Sequence, residues 1–283
     1  MVVLAGCGPT ATADRGKSTL AASAPTPANP DLILATTTST QDSGLLDVLI
    51  PMFEKKTGYK VKTVAVGTGA ALALGQKGEA DVLLTHAPSS EQPLVDDKTA
   101  VNYQLLMHND FIIVGPANDP AGVKKAATLK EVFKAVSDSK SVFISRGDKS
   151  GTDTKEKDLW KKAGIIPSGS WYQESGVGMG QTLNIASQKA GYTLTDRATY
   201  LANKNNLQLE ILREGDSTLL NIYHVMEVNP EKFPKVNKDG AKAFVDFMIN
   251  SETQKTIGEF GKDKYGQALF FADYGKKMED LAK

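Results

Sequence analysis

The sequence predicts an α/β protein of two lobes with a cleft between them. Three observations carry this: a β-α-β-α-β pattern that starts at Asp31, the same pattern starting again at Phe111, and a helical tail after Pro230 and Pro234 that needs an existing sheet to cover. Its 283 residues leave room for a real core in each lobe.

Taken in order, Leu32-Ile33-Leu34 reads as a strand, and Leu45, Leu46, Leu49, Ile50 and Phe53 recur at helical spacing until Gly58 ends the helix. Strands follow at Val61–Val66 and Val82–Leu84, with a short helix over Ala70–Gln76 between them. The order implies parallel strands with right-handed crossovers. The second block has a strand at Phe111–Gly115, a helix opened by Thr128 with Glu131 three residues on, a strand at Val142–Ser145 and a polar helix from Thr152 to Ala163. Gly191–Thr195, Leu207–Leu212 and Leu219–Val225 are further strands, with helices over Gln181–Lys189 and Asp196–Asn203. In the tail, Ala243, Phe244, Phe247 and Met248 share one apolar face. The domain reading is a terminal segment 1–30, a first lobe of 31–110 with 226–283, and a second lobe of 111–225.

Charge and composition exclude several functions. Lys+Arg and Asp+Glu both number 33, and nucleic-acid binding needs a concentrated basic surface that such a balance does not suggest. No run of eighteen apolar residues occurs, so no span is expected. One cysteine, Cys7, cannot form an internal disulfide or a thiolate metal cluster, and His86, His108 and His224 are too scattered for ligand spacing. Each histidine reads as structural or exposed. Leu4-Ala5-Gly6-Cys7 resembles a bacterial lipobox, with only six residues ahead of the cysteine. Residues 8–30, rich in Ala, Thr, Ser, Gly and Pro, read as a tether behind a lipidated Cys7.

Three segments place hydroxyls or glycines at a strand-to-helix junction, where the first N–H groups of a helix have no partners and favour an anion. They are Thr36-Thr37-Thr38-Ser39-Thr40, Val66-Gly67-Thr68-Gly69, and Ser145-Arg146-Gly147-Asp148-Lys149-Ser150-Gly151-Thr152. Each hydroxyl is also an ordinary helix cap in type. Their common place at strand ends is where open α/β sheets bind ligands. Enzyme motifs fail. There is no Gly-x-Ser-x-Gly elbow, Gly16-Lys17-Ser18 lacks its P-loop glycine because position 11 is Ala11, and Gly176-Val177-Gly178-Met179-Gly180 lacks the dinucleotide spacing.

The stretches ATTTSTQDSGLLDVLIPMFEKKTGYKVKTVAVGTGAALALGQKGEADVLLTHAP, NDFIIVGPANDPAG, SRGDKSGTDTKEKDLW and GVGMGQTLNIASQKAGYTLTDRATYL resemble, in order, the TupA-type tungstate-binding proteins of bacterial ABC importers. The likeness covers residues 34–228. It implies a periplasmic-binding-protein fold, each lobe a mainly parallel sheet flanked by helices, with a tetrahedral dianion in the interlobe cleft. It also implies Thr37, Thr38, Ser39, Thr68, Arg146, Ser150, Gly151 and Thr152 as the oxyanion-binding set. No catalytic residue, cofactor or cation is implied. The expected ligand is tungstate or molybdate, the partner an ABC permease at the membrane, and the protein a monomer on the extracytoplasmic face, anchored through Cys7. Two rivals use the same residues. A phosphate or sulfate receptor of the same fold would use Asp148 or Asp42 as acceptor for a phosphate proton. A lipid-anchored serine hydrolase would use Ser39 or Ser150, but no histidine or lysine is placed by sequence to activate either. The Asp148 carboxylate is expected to brace its loop, pointing away from the ligand.

Overall fold

The computed structural model describes residues 1–3 and 27–281. Cys7, most of the tether and Gly16-Lys17-Ser18 lie outside the described residues. The first strand, β1 (Asp31–Thr37), leads into a short helix α1 (Thr38–Asp42) and the long α2 (Leu45–Thr57). Gly58 closes α2 in the left-handed conformation (φ 79°), which a residue without Cβ adopts freely. Then come β2 (Lys60–Val66), α3 (Thr68–Gln76), β3 (Val82–Thr85), α4 (Pro88–Asp96) and β4 (Ala100–Gly115).

The chain continues through α5 (Leu129–Ser139), β5 (Phe143–Ser145), α6 (Gly151–Ala163), β6 (Tyr172–Glu174), α7 (Met179–Gln188), β7 (Thr193–Asp196), α8 (Arg197–Asn203) and β8 (Glu210–Arg213). It returns along β9 (Leu220–Val228) and ends in α9 (Lys238–Ile249), α10 (Ser251–Glu259), α11 (Lys262–Tyr265) and β10 (Phe271–Ala272). The capping box expected at the start of α5 is formed: Thr128 accepts from the Glu131 amide at 3.2 Å, and the Glu131 carboxylate accepts from the Thr128 amide at the same distance.

Six strands lie in the order β10-β4-β9-β3-β1-β2. β1 is parallel to β2 and β3, whereas β9 is antiparallel to β3 and β4. The α/β class holds, but the expectation of mainly parallel sheets is corrected to a mixed one. β4 and β9 carry the chain out of the first sheet and back into it, and an outgoing and a returning strand side by side run antiparallel. β4 is also the pivot. It pairs with β9 from Ala100 to Asp110, then with β7 from Phe111 to Val114 and with β8 near its end. The expected strand Phe111–Gly115 is only its last third. Pairing slips between Val101 and Gln104 and again between Leu105 and Met107, and Asn102 has a positive φ of 50°, so the period-two signal over residues 100–110 is broken.

Beyond the pivot, β4 alternates between two cores. Ile112 and Val114 join the core of Leu32, Leu34, Phe53, Val82 and Phe244, whereas Phe111 and Ile113 join that of Phe133, Phe143, Trp160 and Tyr192. In the tail, Phe244 and Phe247 pack on Phe53 of α2 with ring centroids 5.1 and 5.4 Å away, which seats α9 on the first sheet.

The second core carries a buried carboxyl. Glu156 accepts from Trp160 Nε1 at 3.0 Å and from the Tyr172 hydroxyl at 2.8 Å, and burial pushes it up to about 7. Below that value the folded protein holds a proton that the unfolded chain releases above its ordinary 4.5, so this group costs stability as pH rises through that window. Glu156→Gln keeps an acceptor oxygen and cannot ionise. Thermal melts are expected to show a variant that gains on the wild type from about pH 5 to about pH 8. A constant gap across that range would mean that Glu156 does not titrate there.

Candidate functional site

Four helix N-termini converge between the lobes. α1 and α3 start at the ends of β1 and β2, α6 starts after the loop that follows β5, and α7 starts after β6. Thr37 caps α1 and Ser150 caps α6, accepting from the Asp153 amide at 3.2 Å. Gly67 and Gly178 precede α3 and α7 and offer no capping side chain, so both helix starts present backbone N–H groups.

The sequence-predicted residues are gathered here from both sides. Thr37, Ser39, Thr68, Arg146, Ser150, Gly151 and Thr152 are all buried, and Thr38 is half-buried. Several contacts join the sides, three of them at the helix starts. The Gly151 amide donates to Thr68 Oγ1 at 2.9 Å, Arg146 Nη2 donates to Thr38 Oγ1 at 3.3 Å, and the Gly180 amide of α7 donates to Asp42 Oδ2 at 3.1 Å. Arg146 is 1% exposed, and its Nε finds no partner among the described residues. Thr152 Oγ1, equally buried, finds none either. With Ser145 Oγ, also without a partner among the described residues, the segment holds three such atoms, which is unusual, since an unmet buried polar group costs about 1–3 kcal/mol.

Asp148 braces its loop as expected, its Oδ1 accepting from the Ser150 amide at 3.0 Å, but the carboxylate does not point away from the cluster, because its Oδ2 accepts from Arg146 Nη2, the nitrogen that also bonds Thr38. Both oxygens are therefore engaged. The Asp153 carboxylate supports the same loop from below, accepting from the amides of Gly147 and Lys149.

His86, expected to be structural or exposed, is buried in the midst of the hydroxyls. Its Nε2 lies 3.0 Å from Thr37 Oγ1 and 3.2 Å from Ser39 Oγ, and its Nδ1 lies 2.8 Å from Asn221 Oδ1. Burial pushes it down to about 4, so the ring is neutral near pH 7. No local spacing points to it, because its partners come from the ends of β1 and β9. The start of α7 was likewise set aside as a failed motif, yet a Cβ at Gly178 would stand 3.4 Å from Thr38 Cβ. Beside the hydroxyl cluster a groove of about 490 Å³ is lined by His86, Phe111, Gly151, Lys155 and Asn221, among others.

Chemically this is a buried cluster of hydroxyls and helix-start amides with one guanidinium, a set of donors suited to a compact anion that only accepts. The PBP superfamily domain matches residues 21–252 of the chain. Over 253 residues the chain is 48% identical to the tungstate-binding protein TupA of Peptoclostridium acidaminophilum, covering 89% of this chain and 88% of that protein. Among solved structures, the tungstate ABC transporter protein of Geobacter sulfurreducens is 51% identical with a TM-score of 0.75, covering 81% of this chain and 98% of its own. The tungstate-binding protein TupA of Desulfovibrio alaskensis G20 is 45% identical with a TM-score of 0.71, covering 87% and 99%.

Proposed function

We propose that this chain, which belongs to the TupA family of tungstate-binding proteins within the PBP superfamily, captures tungstate between its lobes and hands it to an ABC permease on the extracytoplasmic face of a membrane. The observation that carries the reading is the pair of buried, partnerless donors, Arg146 Nε and Thr152 Oγ1, in a cluster of hydroxyls and helix-start amides that also holds Asp148 and His86. Tungstate is an acceptor-only tetrahedral dianion, which unpaired donors match. Thr38 and Thr68, with whichever of the Thr37 and Ser39 hydroxyls does not donate to His86, supply donors from one lobe, and Arg146, Ser150 and Thr152 from the other, while the Gly151 amide, which here donates to Thr68, would turn to the anion. With each charge-assisted bond contributing about 1.5–3 kcal/mol gross, a handful suffices for nanomolar affinity, about −12 kcal/mol, after ordering and desolvation costs.

Hydrogen phosphate would have to place its proton on an acceptor that already takes a bond within the protein, since Asp148 holds a donor on each oxygen, Asp42 one on Oδ2 and His86 Nε2 faces the hydroxyls. Molybdate has the same charge and shape as tungstate, so the preference between them rests on the family. We place the lobe boundaries where β4 exchanges β9 for β7, after Asp110, and where β9 begins, before Leu220 rather than before Met226. Lipidation of Cys7 and a monomeric state complete the proposal, the former on the Leu4–Cys7 pattern alone.

A thermal-shift and scattering series on the purified protein tests it. Tungstate at a hundred times its dissociation constant is expected to stabilise the fold by about 2.7 kcal/mol and to compact it, because donors from both lobes favour the closed arrangement. Phosphate at equal concentration is expected to do neither. Equal stabilisation by phosphate would overturn the tungstate reading.

A further inference from the structure

Behind the hydroxyls lies a chain of buried polar side chains that anion binding does not itself require. Asn221 Nδ2 donates to Asn109 Oδ1 at 2.8 Å and lies 3.1 Å from the Tyr223 hydroxyl, which turns Asn221 Oδ1 toward His86 as an acceptor. His86 therefore carries its proton on Nδ1 and offers one lone pair on Nε2, which accepts from either the Thr37 or the Ser39 hydroxyl and leaves the other free to donate. In the other direction, Asn109 Nδ2 donates to Asp196 Oδ1 at 3.4 Å, the Thr199 amide donates to the same oxygen at 2.8 Å, and Thr199 Oγ1 donates to the Ser39 carbonyl at 3.2 Å. The bonds close a ring that leaves Ser39 by its hydroxyl and returns by its backbone.

The ring passes through the joint of the molecule. Asn109 and Asn221 are directly paired residues of β4 and β9, two positions before β4 changes partners at Phe111. Ser39 and His86 belong to the first lobe, and Asp196 and Thr199 to the second. No member is more than 5% exposed. A rotation that parted the lobes would draw Thr199 from Ser39 and strain the link from Asn109 to Asp196, whereas His86 and the hydroxyls it meets lie on one side.

We propose that His86, Asn221, Asn109, Asp196 and Thr199 form a positioning network that couples anion capture to lobe closure: residues that do not touch the anion set its affinity by holding Ser39 to the second lobe. This rests on the oxyanion reading above. The network raises affinity because its bonds exist in the closed arrangement and are lost in an open one, which is the differential that lets distant residues act on binding.

Thr199→Val is the cleanest test, since valine keeps the shape and the backbone amide that bonds Asp196 and removes only the hydroxyl bonded to Ser39. Tungstate titration with the purified protein is expected to show affinity lower by about threefold to tenfold, the scale of one net hydrogen bond, with faster release. The melting temperature without tungstate should stay close to wild type while the tungstate-induced compaction shrinks. His86→Leu is expected to lose more affinity, and His86→Gln, whose amide can stand at the Nε2 position, to recover part of it. Wild-type protein that does not bind tungstate would remove the functional reading and the coupling with it. Tight wild-type binding with Thr199→Val within twofold and equally compacted would overturn the coupling alone.

Discussion

Arg146→Ala is expected to weaken tungstate binding by more than tenfold, toward about a hundredfold, in a calorimetric titration. The guanidinium is 1% exposed, gives Nη2 to Thr38 and Asp148, and keeps Nε without a protein partner. A charge-assisted bond to a buried dianion contributes about 1.5–3 kcal/mol, and each 1.4 kcal/mol is a factor of ten. Alanine also strips Asp148 of its cation, leaving a carboxylate beside the incoming charge that keeps the bond from the Ser150 amide. The loss then has two sources, a missing donor and an unscreened repulsion. Arg146→Lys is expected to recover only part, because an ammonium can keep the pairing with Asp148 but cannot present a second, rigidly placed donor. Arg146→Ala/Asp148→Asn should bind better than Arg146→Ala alone, since it removes the repulsion. If alanine at 146 leaves affinity within twofold of wild type, the site lies elsewhere.

The parts of this molecule legible in its sequence are those whose signal is local. The helices α2, α5 and α6 announce themselves through apolar spacing, a capping box and a terminal glycine, and each forms within a few residues of where those signals stand. The donor-bearing segments were legible for the same reason: hydroxyls and glycines at strand-to-helix junctions are written contiguously. What was hidden depends on contacts far apart in the chain. The first two thirds of β4 lost its alternation to two register slips, α4 carries Pro88 and Pro93, and β6 and β10 are three and two residues long, too short for any period. His86 and Asn221 meet across 135 residues, so no spacing rule joins them. Asp148 shows the intermediate case. Its loop-bracing role follows from position, whereas its pairing with Arg146 depends on how the loop folds back.

Gly151→Val is expected to weaken tungstate binding by about tenfold to a hundredfold while the protein alone remains folded. Gly151 opens α6 in ordinary helical geometry, so its lack of a side chain answers to space and not to backbone freedom. A Cβ there would stand 3.0 Å from His86 Cε1, 3.1 Å from His86 Nδ1 and 3.2 Å from Thr68 Oγ1, all groups of the opposite lobe. Neither neighbour yields easily. His86 is held at both ring nitrogens, and Thr68 Oγ1 is the acceptor for the Gly151 amide itself. Overpacking of this kind typically costs about 1–3 kcal/mol, but here a cheaper escape exists, because the two lobes can part along the same line. The strain therefore falls on closure and reaches binding at 1.4 kcal/mol per factor of ten. Gly151→Ala, which needs a shift of only a few tenths of an ångström, should fall between wild type and valine. Scattering should show the valine variant staying extended when tungstate is added, with its melting temperature in the absence of tungstate close to wild type. A valine variant that binds within twofold of wild type and compacts normally would show that α6 does not approach His86 and Thr68 in the closed protein.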